Sequence, residues 1–115
     1  MVGSIDGIQD IASQALRHLE LWRGRRKALT RDELCRMIGC DDRNLRNALR
    51  ELRVQGYLIV AEADGGYRFA LEGGEVYGYT SSLKSRIQAL REVAEAMEAS
   101  AEREFGPPGE QLSLL

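Results

Sequence analysis

Apolar residues recur at helical spacing in three stretches of the first half of the chain. Residues 5–23 carry the first stripe, and residues 45–52 carry the last one. Between them, Leu34 and Ile38 form a short stripe, and Gly39 follows as a residue suited to ending a helix. The pattern therefore predicts three helices that are separated by short connections.

Polar residues mark where the second and third of these helices begin. Thr30 can cap a helix, and Glu33 lies three residues later, where its carboxylate can reach back to the amide of Thr30. Either Asp41 or Asp42 can cap the next helix. Because so few residues separate Gly39 from these caps, the two helices are predicted to form a helix-turn-helix.

Two short apolar runs, residues 57–61 and 67–70, follow the third helix and flank a polar loop. The Asp64-Gly65 pair in that loop is a strong hairpin signal, so we predict a two-stranded wing. The loop is acidic, since it also holds Glu62, and this argues against insertion of its tip deep into a DNA groove.

The Gly66-Tyr67 pair stands directly after the wing turn. With this pair, and with its order of helix, turn, helix and hairpin, the chain resembles the winged-helix family that includes the N-terminal domain of the biotin repressor. It is also similar to small phage-type or prophage-type winged-helix proteins, in which a long helix rich in Glu, Ala and Arg follows the wing. The resemblance covers roughly residues 8–105. It implies DNA binding by default, although some winged helices bind proteins instead.

The third helix carries an arginine-rich face beside its apolar stripe. Arginine can pair with phosphate or with guanine edges, and asparagine can pair with adenine. A solvated charged face is the alternative for any such helix, but the turn before it and the hairpin after it favour DNA. The candidate DNA-binding residues are Arg43, Asn44, Arg46, Asn47, Arg50 and Arg53 on the helix, Arg68 on the return strand, and Arg25, Arg26 and Lys27 before Thr30. For the last three, a solvated loop and a phosphate contact are equally favoured.

The distribution of charge supports this assignment better than the total does. The net charge is −2, yet residues 1–56 hold 11 Lys and Arg against 8 Asp and Glu. Residues 57–115 hold 5 against 10. The positive half therefore contains the predicted helix-turn-helix, and binding to DNA depends on the local field.

A long helix is predicted over residues 75–105, after a break at residues 71–74. Its apolar residues alternate by four and three, which is typical of a coiled-coil seam. The members of this seam are Leu83, Ile87, Leu90, Ala94, Met97 and Ala101. A helix of 31 residues would be about 45 Å long, which exceeds the width of a small domain. Packing within the chain is the alternative, but we expect a homodimer through this helix.

The last ten residues are predicted to form a flexible tail, because Gly106-Pro107-Pro108-Gly109 stops the helix and stiffens a linker. The final five residues resemble the peptide by which bacterial proteins bind the replicative sliding clamp, with Leu115 where that peptide usually has Phe. The resemblance implies a partner-binding role for Gln111, Leu112, Leu114 and Leu115. A disordered tail without a partner is the alternative.

The remaining features of the sequence limit the classes of function to be considered. No apolar run approaches the length of a membrane span and the N-terminus lacks a signal-peptide pattern, so we expect a cytoplasmic protein. Cys35 and Cys40 have no second cysteine pair, and His18 has no matching ligands, so we expect no metal and no cofactor. No set of residues suggests catalysis, so we expect that the protein is not an enzyme.

The expected fold is mainly α with a small β-hairpin wing, that is, a winged helix-turn-helix plus a long C-terminal helix. Its expected parts are a winged helix-turn-helix domain at residues 1–72, the long helix at 73–105 and the tail at 106–115. Three functions remain open: a DNA-binding protein, either a transcriptional regulator or a phage-type replication-associated factor; an adaptor recruited to the sliding clamp; and a dimer that binds only proteins.

Overall fold

The computed structural model describes residues 4–25 and 28–109. Its elements in chain order are α1 (Ser4–Leu21), β1 (Leu29–Thr30), α2 (Arg31–Ile38), α3 (Asp42–Val54), β2 (Ile59–Ala61), β3 (Gly66–Phe69) and α4 (Gly73–Phe105). The chain divides into two compact units, Met1–Tyr79 and Thr80–Leu115. The first unit holds three helices, a small antiparallel sheet and the start of α4, so the predicted fold class, a winged helix-turn-helix with a long C-terminal helix, is confirmed.

The core of the first unit lies between α1, α2, α3 and the sheet. Its buried residues are Ala12, Ala15, Leu19, Leu29, Leu34, Leu45, Ala48, Leu49, Leu52, Ile59 and Phe69. All four apolar residues predicted for the stripe of α3 are buried. Trp22 is partly buried and packs against this cluster. Burial of these side chains is the main force that fixes α3 against the rest of the unit.

The predicted caps of the helix-turn-helix are present. Thr30 Oγ1 accepts a hydrogen bond from the Glu33 amide at 3.1 Å, and Glu33 Oε1 accepts one from the Thr30 amide at 2.9 Å. Gly39 ends α2 with φ of +80°, in the left-handed region that favours glycine. Asp41 is the cap of α3, since its Oδ1 accepts from the Asn44 amide at 2.8 Å. These local contacts set where α3 begins.

The sheet has three strands, whereas the sequence predicts two. The short strand β1 pairs antiparallel with β3, and the strand order is β1-β3-β2. Leu29 of β1 is buried in the core. Gly66 of β3 allows the close approach, because a Cβ at this position would lie 2.8 Å from Ala28 Cβ. A strand of two residues is too short to show a period of two, which is why the sequence pattern misses it.

The wing turn has the predicted chemistry. Gly65 adopts φ of +91°, and the Gly65 amide donates to the carbonyl of Glu62 at 2.9 Å. Asp64 Oδ1 accepts from the Gly66 amide at 3.1 Å. The side chain of Asp64 therefore stabilises its own turn, as aspartate commonly does at such positions.

Helix α4 spans Gly73–Phe105, whereas the apolar pattern places its start at about residue 75. Gly106 follows with φ of +93°, and its amide donates to the carbonyl of Glu102 at 3.0 Å. No residue of α4 is buried in the part of the chain that the structure describes.

Candidate nucleic-acid interface

The outward face of α3 is polar, exposed and rigidly supported. Five of its six predicted DNA-binding residues are exposed: Arg43, Asn44, Arg46, Asn47 and Arg50. The opposite face of the same helix is buried through Leu45, Ala48, Leu49 and Leu52. Because the buried face cannot rotate out of the core, the exposed side chains keep a fixed direction relative to the turn and the sheet. This arrangement suits a helix that docks against another surface.

Asp42 partly neutralises the positive charge at the start of α3. Arg46 Nε lies 3.0 Å from Asp42 Oδ2, and Arg31 Nη1 lies 3.6 Å from the same oxygen. These pairs are about half exposed, so each contributes about 0–1 kcal/mol. Breaking the pair with Asp42, so that Arg46 can bind a phosphate, would therefore cost little free energy.

Arg31 is a further exposed cation near α3, and the sequence pattern gives no reason to select it. It is the first residue of α2, and its shared carboxylate brings it next to Arg46 of α3. The two arginines are 15 positions apart in the sequence, so spacing along the chain gave no sign of their proximity. Only the docking of α2 against α3 creates this pair of cations.

Arg53, the last arginine of α3, has its partners inside the protein. Its Nε donates to the carbonyl of Ile59 at 2.8 Å. Its guanidinium lies 5.0 Å from the ring centre of Tyr79 and 5.7 Å from that of Tyr67, within the range of a cation–π contact. The buried Nη2 has no hydrogen-bond partner among the described residues. Arg53 therefore joins α3 to the wing and to the first turns of α4, and it differs in this respect from its exposed neighbours.

Arg68, which the sequence makes a candidate for DNA contact, is also engaged within the protein. Its Nε donates to Glu62 Oε1 at 2.6 Å, and its Nη1 donates to Glu75 Oε2 at 3.0 Å. The hydrogen bonds that Arg68 donates to Glu75 and Glu62 raise the pKa of Arg68. Those that Glu75 accepts from Arg68 and from the Leu71 amide lower the pKa of Glu75. The side chain of Arg68 is only 24% exposed. The network connects the wing to the start of α4.

The basic cluster before α2 is described only in part. Arg25 is exposed, and its Nε donates to the carbonyl of Leu21 at 3.2 Å while its guanidinium lies 5.3 Å from the Trp22 ring centre. Arg26 and Lys27 lie outside the described residues. The four tail residues predicted to bind a partner, Gln111, Leu112, Leu114 and Leu115, also lie outside them.

The two cysteines lie at the joint between α2 and α3. Both are free thiols that pack partly against the core. Burial raises the pKa of Cys35, and it raises the pKa of Cys40 to about 11. The thiols are therefore protonated at neutral pH and are poor metal ligands and nucleophiles. Over residues 4–25 and 28–109, no group of three His, Cys, Asp or Glu side chains could hold a metal ion.

No helix in the described part of the chain is both long and apolar enough to cross a membrane.

Comparison with known proteins gives a weak structural similarity. No protein-family model matches the sequence, and no curated protein matches it. Among solved structures, the chain is similar to the crystal structure of the transcriptional regulator PA3341, with 21% sequence identity and a TM-score of 0.43. The matched region covers 84% of this chain and 82% of that one.

Proposed function

We propose that this protein is a non-enzymatic, DNA-binding winged-helix protein that acts as a transcriptional regulator or as a phage-type replication-associated factor. The observation that supports the proposal most strongly is α3 itself. One face of this helix is buried in the core, and the other presents Arg43, Arg46, Asn47 and Arg50 to solvent. A rigid helix with this face has the dimensions and the hydrogen-bond donors that the major groove of B-DNA admits.

In this proposal the arginines and the asparagines of α3 contact different groups of the DNA. Arg43, Arg46 and Arg50 supply guanidinium groups for guanine edges or phosphates, and Asn44 and Asn47 supply amides for adenine. We expect further phosphate contacts from Arg31, which shares Asp42 with Arg46, and from the exposed Arg25. The acidic wing tip, with exposed Asp64, stays out of the groove. Arg53 and Arg68 act within the protein and hold α3, the wing and the start of α4 together.

The test uses two exposed arginines of α3. We expect the double variant Arg43→Ala, Arg50→Ala to bind a pool of random duplexes at least tenfold more weakly than the wild type, in fluorescence anisotropy at low salt. Each lost phosphate contact should also make the plot of log affinity against log salt concentration less steep by about 0.9. The matched control, Arg17→Ala with Arg103→Ala, removes the same charge from exposed positions elsewhere. Equal weakening by the two double variants would contradict a role specific to α3.

The proposal extends to a homodimer formed through α4. Several apolar members of the predicted seam are solvent-exposed, with Ile87 at 55%, Leu90 at 69% and Met97 at 67%. An apolar stripe of this length along a helix favours a protein partner.

A second candidate function is that of an adaptor recruited to a bacterial sliding clamp. The terminal Gln111-Leu112-Ser113-Leu114-Leu115 favours it, since Gln111 can both donate and accept hydrogen bonds and the leucines can fill apolar pockets. We expect a peptide of the last ten residues to bind a clamp with micromolar affinity, about −8 kcal/mol, in calorimetry. Equal heat from a Gln111→Ala, Leu114→Ala peptide, or no heat at all, would remove the clamp as the partner.

A further inference from the structure

We infer that residues 83–105 of α4 pair with the same residues of a second copy in antiparallel orientation. The inference rests on the proposed dimer and adds its orientation and register. It starts from the apolar seam, in which Leu83 is partly buried and the later members are exposed, and from Val93, which flanks the seam and is 57% exposed. The seam alone does not distinguish parallel from antiparallel pairing, but the sizes of its side chains and the charges around it do.

The sizes of the seam residues match in the antiparallel direction. If the midpoint of the pairing lies at residue 92, Leu83 faces Ala101 of the partner subunit and Leu90 faces Ala94 of the partner subunit. Ile87 then faces Met97 of the partner subunit. Each layer thus combines a large side chain with a small or a flexible one, which fills space evenly. In a parallel pair, Ala94 and Ala101 would each face the same residue of the partner subunit. Two small side chains would then leave unfilled space in two layers of the interface.

The charges of α4 are separated along its length. Residues 80–91 hold three cations, Lys84, Arg86 and Arg91, and no acidic residue. Residues 92–105 hold five glutamates and one cation, Arg103. A parallel pair would set the basic segments side by side and the acidic segments side by side. An antiparallel pair sets each basic segment against an acidic one, so the long-range interaction changes from repulsive to attractive.

One flanking pair makes the register testable. Lys84 and Glu98 both lie one position after a seam residue, on the same side of the seam. With the midpoint at residue 92, antiparallel pairing puts Lys84 beside Glu98 of the partner subunit, and twofold symmetry makes this contact occur twice. In a parallel pair the two residues lie at opposite ends of the interface and do not meet. On the same side, Arg91 faces its own copy at the midpoint, which is the one like-charge contact that this register creates.

The first experiment asks whether the seam mediates association. Sedimentation equilibrium of the full chain, over a range of micromolar concentrations, should show a reversible dimer. Leu90→Asp places a charge in the seam and should abolish the dimer. The control Ala89→Asp places the same charge one residue earlier, at an exposed position outside the seam, and should leave the dimer intact. Circular dichroism checks that both variants remain folded. A monomeric wild type, or a dimer that survives Leu90→Asp, would overturn both the inference and the proposed dimer.

The second experiment asks about orientation. Lys84→Glu alone and Glu98→Lys alone each convert two attractions into two repulsions, so each should weaken the dimer by about tenfold at low salt. The double variant Lys84→Glu, Glu98→Lys should recover wild-type affinity, and an equimolar mixture of the two single variants should form a heterodimer. If the single variants associate like the wild type, or if the double variant does not recover, the antiparallel register is wrong while the dimer stands. DNA binding through α3 is measured separately and is unaffected by either outcome.

Discussion

Gly66 shows how a single residue sets the spacing between strands in this fold. It lies in β3, opposite Thr30 of β1, and a Cβ on it would come within 2.8 Å of Ala28 Cβ. Real Cβ atoms essentially never come this close, so any side chain at Gly66 forces the strands apart. The separation matters beyond the sheet, because Thr30 is both the last residue of β1 and the cap of α2.

Gly66→Ala is therefore expected to destabilise the protein by about 1–3 kcal/mol, as overpacking of a tight contact does. The free energy of unfolding in urea measures this loss. Adding Ala28→Gly to the same variant removes the opposing methyl group and should recover most of the stability. A Gly66→Ala protein as stable as the wild type would show that the strands separate without cost.

Local signals made much of the helical part of the fold predictable at the level of elements. The faces of α3 follow from the spacing of its residues, and the ends of α2 and α3 follow from Thr30, Gly39 and Asp41. The interactions of Arg53 could not be predicted in this way, because its partners Ile59 and Tyr79 become neighbours only after the chain folds. The same holds for β1, whose pairing with β3 depends on a distant segment.

Arg50 and Arg53 of α3 are expected to differ in their effects on stability. Arg53→Ala removes the hydrogen bond to the Ile59 carbonyl and two cation–π contacts, so it should destabilise the protein by about 1–3 kcal/mol. Arg50 is exposed, so Arg50→Ala should change stability by less than about 0.5 kcal/mol. Thermal and urea unfolding of the two variants decide the matter. Equal effects would contradict the separate roles given to these arginines.

Over the whole molecule, the net charge of −2 is the sum over segments of opposite charge. The cations of α2 and α3 lie on the winged-helix unit, and the glutamates of residues 92–105 lie in the second unit. The first segment suits an anionic ligand, and the second suits the basic segment of another copy of α4. The sequence predicts the first of these features, since the excess of Lys and Arg in residues 1–56 is a property of composition. The domain boundaries at residues 72 and 105 and the partner of the tail stay predictions.

The central claim is that α3 is the surface that meets DNA. The most direct test is amide chemical-shift mapping of this 12.9 kDa chain during titration with a duplex. We expect the largest shifts at residues 42–50 and around Arg31, with little change at the wing-tip residues 63–64 and on the outer face of α1. No shifts at saturating DNA, or shifts confined to the wing or to α4, would contradict the claim.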